Sequence, residues 1–136
     1  GGGAYLQILF PDRDVSGLET NTGSVVVKLV YGNTSFMLTG DSPIAIEKYL
    51  VSLDGEKLKS AVLKAGHHGS KTSSSPDFLK AVSPKWAVIS VGAKNRYGHP
   101  HQEILDRLSA VVRKIFRTDL DGDIQMESDG KNLILD

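Results

Sequence analysis

Lys64-Ala65-Gly66-His67-His68-Gly69-Ser70-Lys71-Thr72-Ser73-Ser74-Ser75 decides how the chain is read. The apolar run Ala61-Val62-Leu63 feeds into it as a strand, two adjacent histidines follow, and a hydroxyl-rich loop comes next. Gly66 and Gly69 bracket the histidines. Glycine tolerates backbone conformations that a Cβ penalises, so the chain is predicted to turn sharply around the imidazoles. A histidine pair at a strand exit suits a metal site or a general base. The competing reading is a polar loop that contains two histidines and nothing more.

Upstream, Val25-Val26-Val27-Lys28-Leu29-Val30-Tyr31, Gly32-Asn33 and Thr34-Ser35-Phe36-Met37-Leu38 predict a β-hairpin with a two-residue turn. Both of its faces are largely apolar, which predicts cover on both sides. A strand over Tyr5 to Phe10 and a polar loop over 12–23 precede it. The hairpin ends in Thr39-Gly40-Asp41. Ser42 is then predicted to cap a helix with Pro43 at its first position and Ile44, Ile46, Tyr49, Leu50 and Leu53 along one stripe. Asp54-Gly55 reads as a turn.

Downstream, Ser75 and Pro76 open a second helix, with Phe78, Leu79, Ala81 and Val82 inward. A strand over Trp86 to Val91 leads to the basic, glycine-rich Gly92-Ala93-Lys94-Asn95-Arg96-Tyr97-Gly98 and then to His99-Pro100-His101. A helix bearing Ile104, Leu105, Leu108, Val111 and Val112 follows. Short strands are predicted over Ile115 to Arg117, Asp123 to Glu127 and Asn132 to Leu135, with turns at Leu120-Asp121-Gly122 and Asp129-Gly130. Hairpins first, βα alternation next and short strands last predict one mixed α/β domain over 1–136.

The 136 residues suffice for one domain with a real core, and 40% apolar with 24% charged residues fits a soluble globular chain. No apolar run approaches the roughly 20 residues of a membrane span. Gly1-Gly2-Gly3-Ala4-Tyr5 lacks the pattern of a signal peptide, and with no initiating Met the chain reads as a piece of a longer protein, though removal of a tag would look the same. With no cysteine there is no disulfide, thiol nucleophile or thiolate zinc site. A Gly-x-Ser-x-Gly elbow is also missing, which argues against a hydrolytic serine. The net charge is zero but unevenly placed. Lys57, Lys59, Lys64, Lys71, Lys80, Lys85, Lys94 and Arg96 face only Glu56 and Asp77 between Glu56 and Gly98, whereas the chain from Asp119 onward is acidic. A basic segment around a metal or base site suits an anionic substrate such as a phosphodiester, with ordinary surface lysines as the alternative.

Three polar clusters follow strands: Asp41, His67-His68, and Asn95 to His101. Converging at one sheet edge, they would form one site. Asp41 with His67 or His68 offers mixed oxygen and nitrogen ligation, which suits Zn²⁺, Mn²⁺ or Fe²⁺ without selecting among them. His99 and His101 lie on one side of an extended segment, as a chelating pair needs, or act as acid or donors to a phosphate oxygen, or serve only as helix caps. Lys71, Lys94 and Arg96 can hold phosphates. Ser70, Thr72, Ser73 and Ser74 can donate to phosphate or satisfy their own loop.

Phe36-Met37-Leu38-Thr39-Gly40-Asp41, Leu63 to Ser73, Ala87-Val88-Ile89-Ser90-Val91-Gly92 and Asn95-Arg96-Tyr97-Gly98-His99-Pro100-His101 closely resemble the metallo-β-lactamase-fold domain of the ComEC/Rec2 competence proteins. The match runs in order over roughly Asn21 to Leu108. It implies an αββα sandwich with the metal site at one edge. Asp41 would be the acidic ligand, often bridging two metals, and His67 the late histidine ligand. His68 would support that ligand or replace it. The family signature from Asn95 to His101 would lie beside the reacting phosphate. As site residues the resemblance implies His68, His99 and His101 as catalytic groups and Ser70, Lys71, Lys94, Asn95 and Arg96 at the substrate.

The fold's main His-x-His-x-Asp-His motif is absent from this sequence. The resemblance therefore covers only the C-terminal half of the domain, that is, half of the sandwich as a mixed sheet with helices on its face. It implies a bacterial, metal-dependent DNA phosphodiesterase of DNA uptake, using a divalent metal, Zn²⁺ or Mn²⁺, in a two-metal site of the complete domain. Its partners would be DNA and the missing N-terminal half or the membrane channel domain of the parent. A homodimer is the other way to cover the exposed half-core. The chain would be soluble and the parent would sit in the cytoplasmic membrane. Rival readings are a hydrolase of the same fold acting on RNA or a small ester, and a catalytically silent nucleic-acid-binding or structural fragment.

Overall fold

A computed structural model describes residues 2–135. Strands β1 (Tyr5–Phe10), β2 (Val26–Tyr31), β3 (Thr34–Leu38), β4 (Val62–Lys64), β5 (Trp86–Ile89) and β6 (Lys114–Arg117) form one six-stranded sheet in sequence order. The first three strands run antiparallel, and β3, β4, β5 and β6 run parallel. Helices α1 (Ile44–Asp54), α2 (Pro76–Val82) and α3 (Gln102–Ser109) make the three parallel crossovers, so the fold is mixed α/β. The short helix α4 (Thr118–Asp121) and the hairpin of β7 (Met126–Ser128) and β8 (Leu133–Leu135) complete the chain.

The strand periodicity of two sorts residues between the sheet faces. Met37, Leu63, Ala87 and Ile89 share one face, fully buried, and join Ile46, Leu50, Phe78, Leu79, Val82, Ile104 and Leu108 of the three longer helices in one core. Burying each large apolar side chain there contributes about 1.5–3 kcal/mol. The opposite face carries Leu6, Ile8, Val27, Leu29, Phe36 and Leu38 in cross-strand register. The β7–β8 hairpin covers its corner near the β2–β3 turn. There Ser128 Oγ and Thr34 Oγ1 share a 2.6 Å hydrogen bond, and the Asn33 N–H donates to the Gly130 carbonyl at 2.7 Å. Leu6 and Ile8, on the outermost strand, stay 64% and 67% exposed.

Several local expectations need correction. The first hairpin is only partly covered on its second face, where Val27, Leu29 and Phe36 are half-buried and Leu38 is exposed. Ser42 is not a cap: α1 begins at Ile44, Pro43 holds the cap position, and the buried Ser42 Oγ has no partner. Ser75 does cap α2, accepting from the Phe78 N–H, with Pro76 at the first position. A 3₁₀ turn over Gly55–Leu58 extends the expected Asp54-Gly55 turn. Leu120-Asp121 belongs to α4 rather than to a turn, and the strand expected over Asp123 to Glu127 is only Met126–Ser128.

Candidate functional site

β3, β4 and β5 are parallel neighbours, so their C-terminal ends lie side by side. Asp41 follows β3, His67 and His68 follow β4, and the segment to His101 follows β5. Sheet order thus brings three clusters, distant in sequence, to one edge, where side chains of open α/β sheets meet ligands.

The loops at this edge brace one another. Gly40 accepts from the His67 N–H at 3.0 Å, and Thr72 accepts from the Ile44 N–H at 2.9 Å. Ser73 Oγ donates to the Ser42 carbonyl at 2.7 Å, and Gly69 accepts from the His101 N–H at 3.0 Å. Two glycines admit this closeness. A Cβ on Gly66 would stand 2.9 Å from Ser73 Cβ, and one on Gly69 would stand 2.5 Å from Pro100 Cβ.

The left-handed backbone falls on the histidines themselves, with φ of 47° at His67 and 57° at His68, as well as on Gly69 at 82°. Histidine reaches this region more readily than most side chains, yet each such residue costs about 1–3 kcal/mol unless its surroundings hold it there. The bonds to Gly40 and Ser90 supply that hold. The strained turn aims both imidazoles outward from the strand exit.

His68 Nδ1 lies 2.7 Å from the Ser90 carbonyl. A carbonyl only accepts, so Nδ1 carries a proton, and Nε2, the lone-pair nitrogen of the neutral ring, lies 3.8 Å from Asp41 Oδ1. An imidazole that donates one N–H to a carbonyl and keeps the other nitrogen free is oriented as metal-binding histidines are. The pair is 48% and 38% exposed at the side chains, so it is open to a ligand. His67, expected as the late histidine ligand, has Nδ1 3.3 Å from Thr72 Oγ1 and its ring edge-on to His99 at 5.8 Å.

His101 has the opposite tautomer. The Lys71 N–H donates to its Nδ1 at 3.1 Å, so the neutral ring bears its proton on Nε2 and offers a donor. His99 packs edge-to-face on His101 at 4.8 Å and stacks with Tyr97 at 5.6 Å and 25°. Burial, helped by the neighbouring imidazoles of His101, His67 and His68, pulls the His99 pKa below its ordinary value against the pull of Asp41. The helix cap position belongs to His101, not to His99. Burial likewise lowers the pKa of Lys64, at the end of β4, with Asp41 opposing.

The other expected site residues divide. Lys71, Lys94 and Arg96 are exposed. Ser70 is buried and shares a 2.9 Å hydrogen bond with Thr72 Oγ1, so its hydroxyl serves the loop. Asn95 serves its loop as well. Its Nδ2 donates to the Gly92 and His99 carbonyls at 3.0 and 2.7 Å, and its Oδ1 accepts from the Tyr97 and His99 N–H groups at 3.1 and 2.9 Å. Both amide protons and both oxygen lone pairs are used, which leaves nothing for a substrate.

Glu47 escaped the sequence reading. It is 2% exposed on α1 and accepts from the Ser74 and Ser75 N–H groups at 2.5 and 2.8 Å, anchoring the loop that follows the histidines. A lone acidic residue near a helix start carries no signal that it points inward. A cleft of about 550 Å³ is lined by Val51, Glu56, Lys59, Asp77 and Lys80, near the start of β4 rather than its exit.

Asp41 and His68 supply an oxygen and a nitrogen of the right chemistry for a divalent ion. Among the described residues no third His, Asp or Glu joins them as a metal-holding group. The pair therefore fits one side of an ion and does not complete the four positions zinc ordinarily takes.

Comparison with known proteins points to competence proteins. The chain is 44% identical over 108 residues to Competence protein ComA of Neisseria gonorrhoeae, covering 79% of this chain and 16% of that protein. It is 41% identical over 105 residues to ComE operon protein 3 of Bacillus subtilis, covering 77% and 13%. With Recombination protein 2 of Haemophilus influenzae it shares 35% over 124 residues, covering 91% and 15%. The chain thus spans about a sixth or less of the length of these curated relatives. No family model matches the sequence. No helix among the described residues is long and apolar enough to cross a membrane.

Proposed function

We propose that this chain is the C-terminal part of a metallo-β-lactamase-like domain in a competence protein, and that it contributes to metal-dependent hydrolysis of DNA phosphodiesters. The observation that carries the reading is the Asp41–His68 pair at the exits of β3 and β4, with the other His68 nitrogen engaged by Ser90. The six-stranded sheet with helices packed on one face supports half of a sandwich. The named competence relatives support a role in DNA uptake, with the remaining ligands in the N-terminal half and the membrane portion elsewhere in the parent.

Asp41 and His68 would hold one side of a divalent ion, Zn²⁺ or Mn²⁺, whose chemistry when bound is Lewis-acid polarisation of a phosphoryl oxygen. The chain's own residues do the rest. His101 Nε2–H donates to a phosphate oxygen, and His99 packs edge-on against both His67 and His101. Lys71 and the basic loop at Lys94 and Arg96 draw the anionic backbone to the edge.

Calorimetric titration of Mn²⁺ and of Zn²⁺ into the chain tests this. Binding near millimolar, roughly −4 kcal/mol, is expected for an incomplete site, and it should vanish in Asp41→Ala and in His68→Ala. Binding that survives both substitutions overturns the reading. The exposed Lys71, Lys94 and Arg96, with only two converging ligands, favour one alternative: a nucleic-acid-binding module without chemistry. That module would keep its salt-sensitive DNA affinity in chelator and in Asp41→Ala.

A further inference from the structure

Tyr97 is the most exposed large apolar side chain in the chain's loops. It is 77% exposed, which an ordinary folding role does not require. One ring face lies nearly parallel to His99, with centroids 5.6 Å apart and planes 25° from each other, and the rest of the ring stands in water. His99 in turn meets both His67 and His101, so Tyr97 is the outermost ring of a stack that begins at the candidate site. The exposed cations Lys94 and Arg96 precede it in the same loop.

The loop is not slack. The Asn95 amide closes it with four hydrogen bonds, one of them to the Tyr97 N–H and two to the backbone of His99. A ring presented on so braced a loop loses little freedom when something stacks on it, which is the condition for an effective platform. Every nucleobase has a π-face, but in a duplex that face is already covered by the neighbouring pair. An exposed aromatic beside a basic stretch therefore rewards an unpaired base and gives nothing to a paired one.

We infer that Tyr97 is a stacking platform for an unpaired nucleobase next to the phosphate at the histidine cluster, and that it makes this edge prefer single strands to duplex. The inference rests on the nucleic-acid reading above and adds to it the residue that discriminates strandedness. Lys94 and Arg96 contribute attraction to either form, because phosphate contacts carry no such information.

Fluorescence anisotropy tests it, using a labelled oligothymidylate and a labelled hairpin duplex, with chelator present so that nothing is hydrolysed. The wild-type chain should favour the single strand. Tyr97→Ala and Tyr97→Leu should each weaken single-strand binding roughly ten-fold, leave duplex binding unchanged and leave the salt slope unchanged, since no charge is removed. Tyr97→Phe should keep the wild-type preference. Melting followed by Trp86 fluorescence should match wild type in all three variants, because the ring packs on little besides His99. A wild type without strand preference overturns the inference, as does a Tyr97→Ala loss that is equal for both forms, or no loss at all. Metal binding through Asp41 and His68 with no effect of Tyr97 would sink only the platform. A Tyr97-dependent preference in a chain whose metal binding survives both Asp41→Ala and His68→Ala would sink only the metal reading.

Discussion

A Cβ on Gly69 would meet Pro100 at 2.5 Å, and the residue already sits at a φ of 82°. Both constraints fall on the point where the histidine turn touches the His99–His101 segment. Gly55 has a comparable φ of 48° but open space around it. Gly55→Ala should therefore cost only backbone strain, about 1–3 kcal/mol, whereas Gly69→Ala adds the clash with Pro100 to such strain and should cost more. Chemical denaturation of the two variants checks the ordering, and equal losses would show that Pro100 yields freely. The sequence shows that glycines flank the imidazoles, and both are needed there. It does not show that His67 and His68 take the left-handed backbone themselves, because the bonds holding them come from Gly40 and Ser90 on other strand exits. For the same reason spacing alone could not prefer His68 to His67 as the partner of Asp41. That choice depends on which ring nitrogen a distant carbonyl occupies.

Helix starts show the same division between local and distant causes. Ser75 is legible as a cap because its partner, the Phe78 N–H, lies three residues on. Ser42 has the same sequence signature and fails, since the Ile44 N–H is already taken by Thr72 and the Ser42 carbonyl by Ser73. The loop after the histidines has replaced the cap, and Glu47 fixes that loop from beneath. Burial raises the Glu47 pKa above the ordinary carboxylate value, against the lowering effect of the Ser75 and Ser74 N–H groups and of Arg107 on α3. A folded-state pKa raised in this way favours the fold below the unfolded value and ceases to do so as pH rises through the folded value. Glu47→Gln should therefore gain in melting temperature relative to wild type as the pH climbs from about 4 to neutrality. Glu47→Ala, which strands two buried N–H groups, should lose about 2–4 kcal/mol at every pH. A Gln-minus-wild-type difference that stays flat with pH would show that the hydrogen bonds offset the burial entirely.

Across the whole molecule, the order of hairpins followed by βα units was enough to place Asp41, His67-His68 and the Asn95 to His101 segment after strands, and the structure adds that these strands are parallel neighbours. What strand patterning does not disclose is which apolar face has a partner. Leu6 and Ile8 alternate as core residues do, yet within 2–135 no element packs over them. They also sit on an edge strand whose Tyr5–Phe10 stretch has no charge to repel a second strand, in contrast to the opposite edge with Lys114 and Arg117. An uncharged apolar edge is a template for pairing with another chain. The chain by itself should therefore associate as its concentration rises, visible as a growing average mass in sedimentation equilibrium. Leu6→Lys with Ile8→Lys should suppress that growth, because lysine on an edge strand opposes pairing and the two positions are mostly in water already. The same double variant should melt within a few degrees of wild type, since substitutions at exposed sites usually change stability by less than about 0.5 kcal/mol. A wild-type chain that remains monomeric at all concentrations would mean that the open face is tolerated as surface. A double variant that still associates would place the contact elsewhere on the molecule.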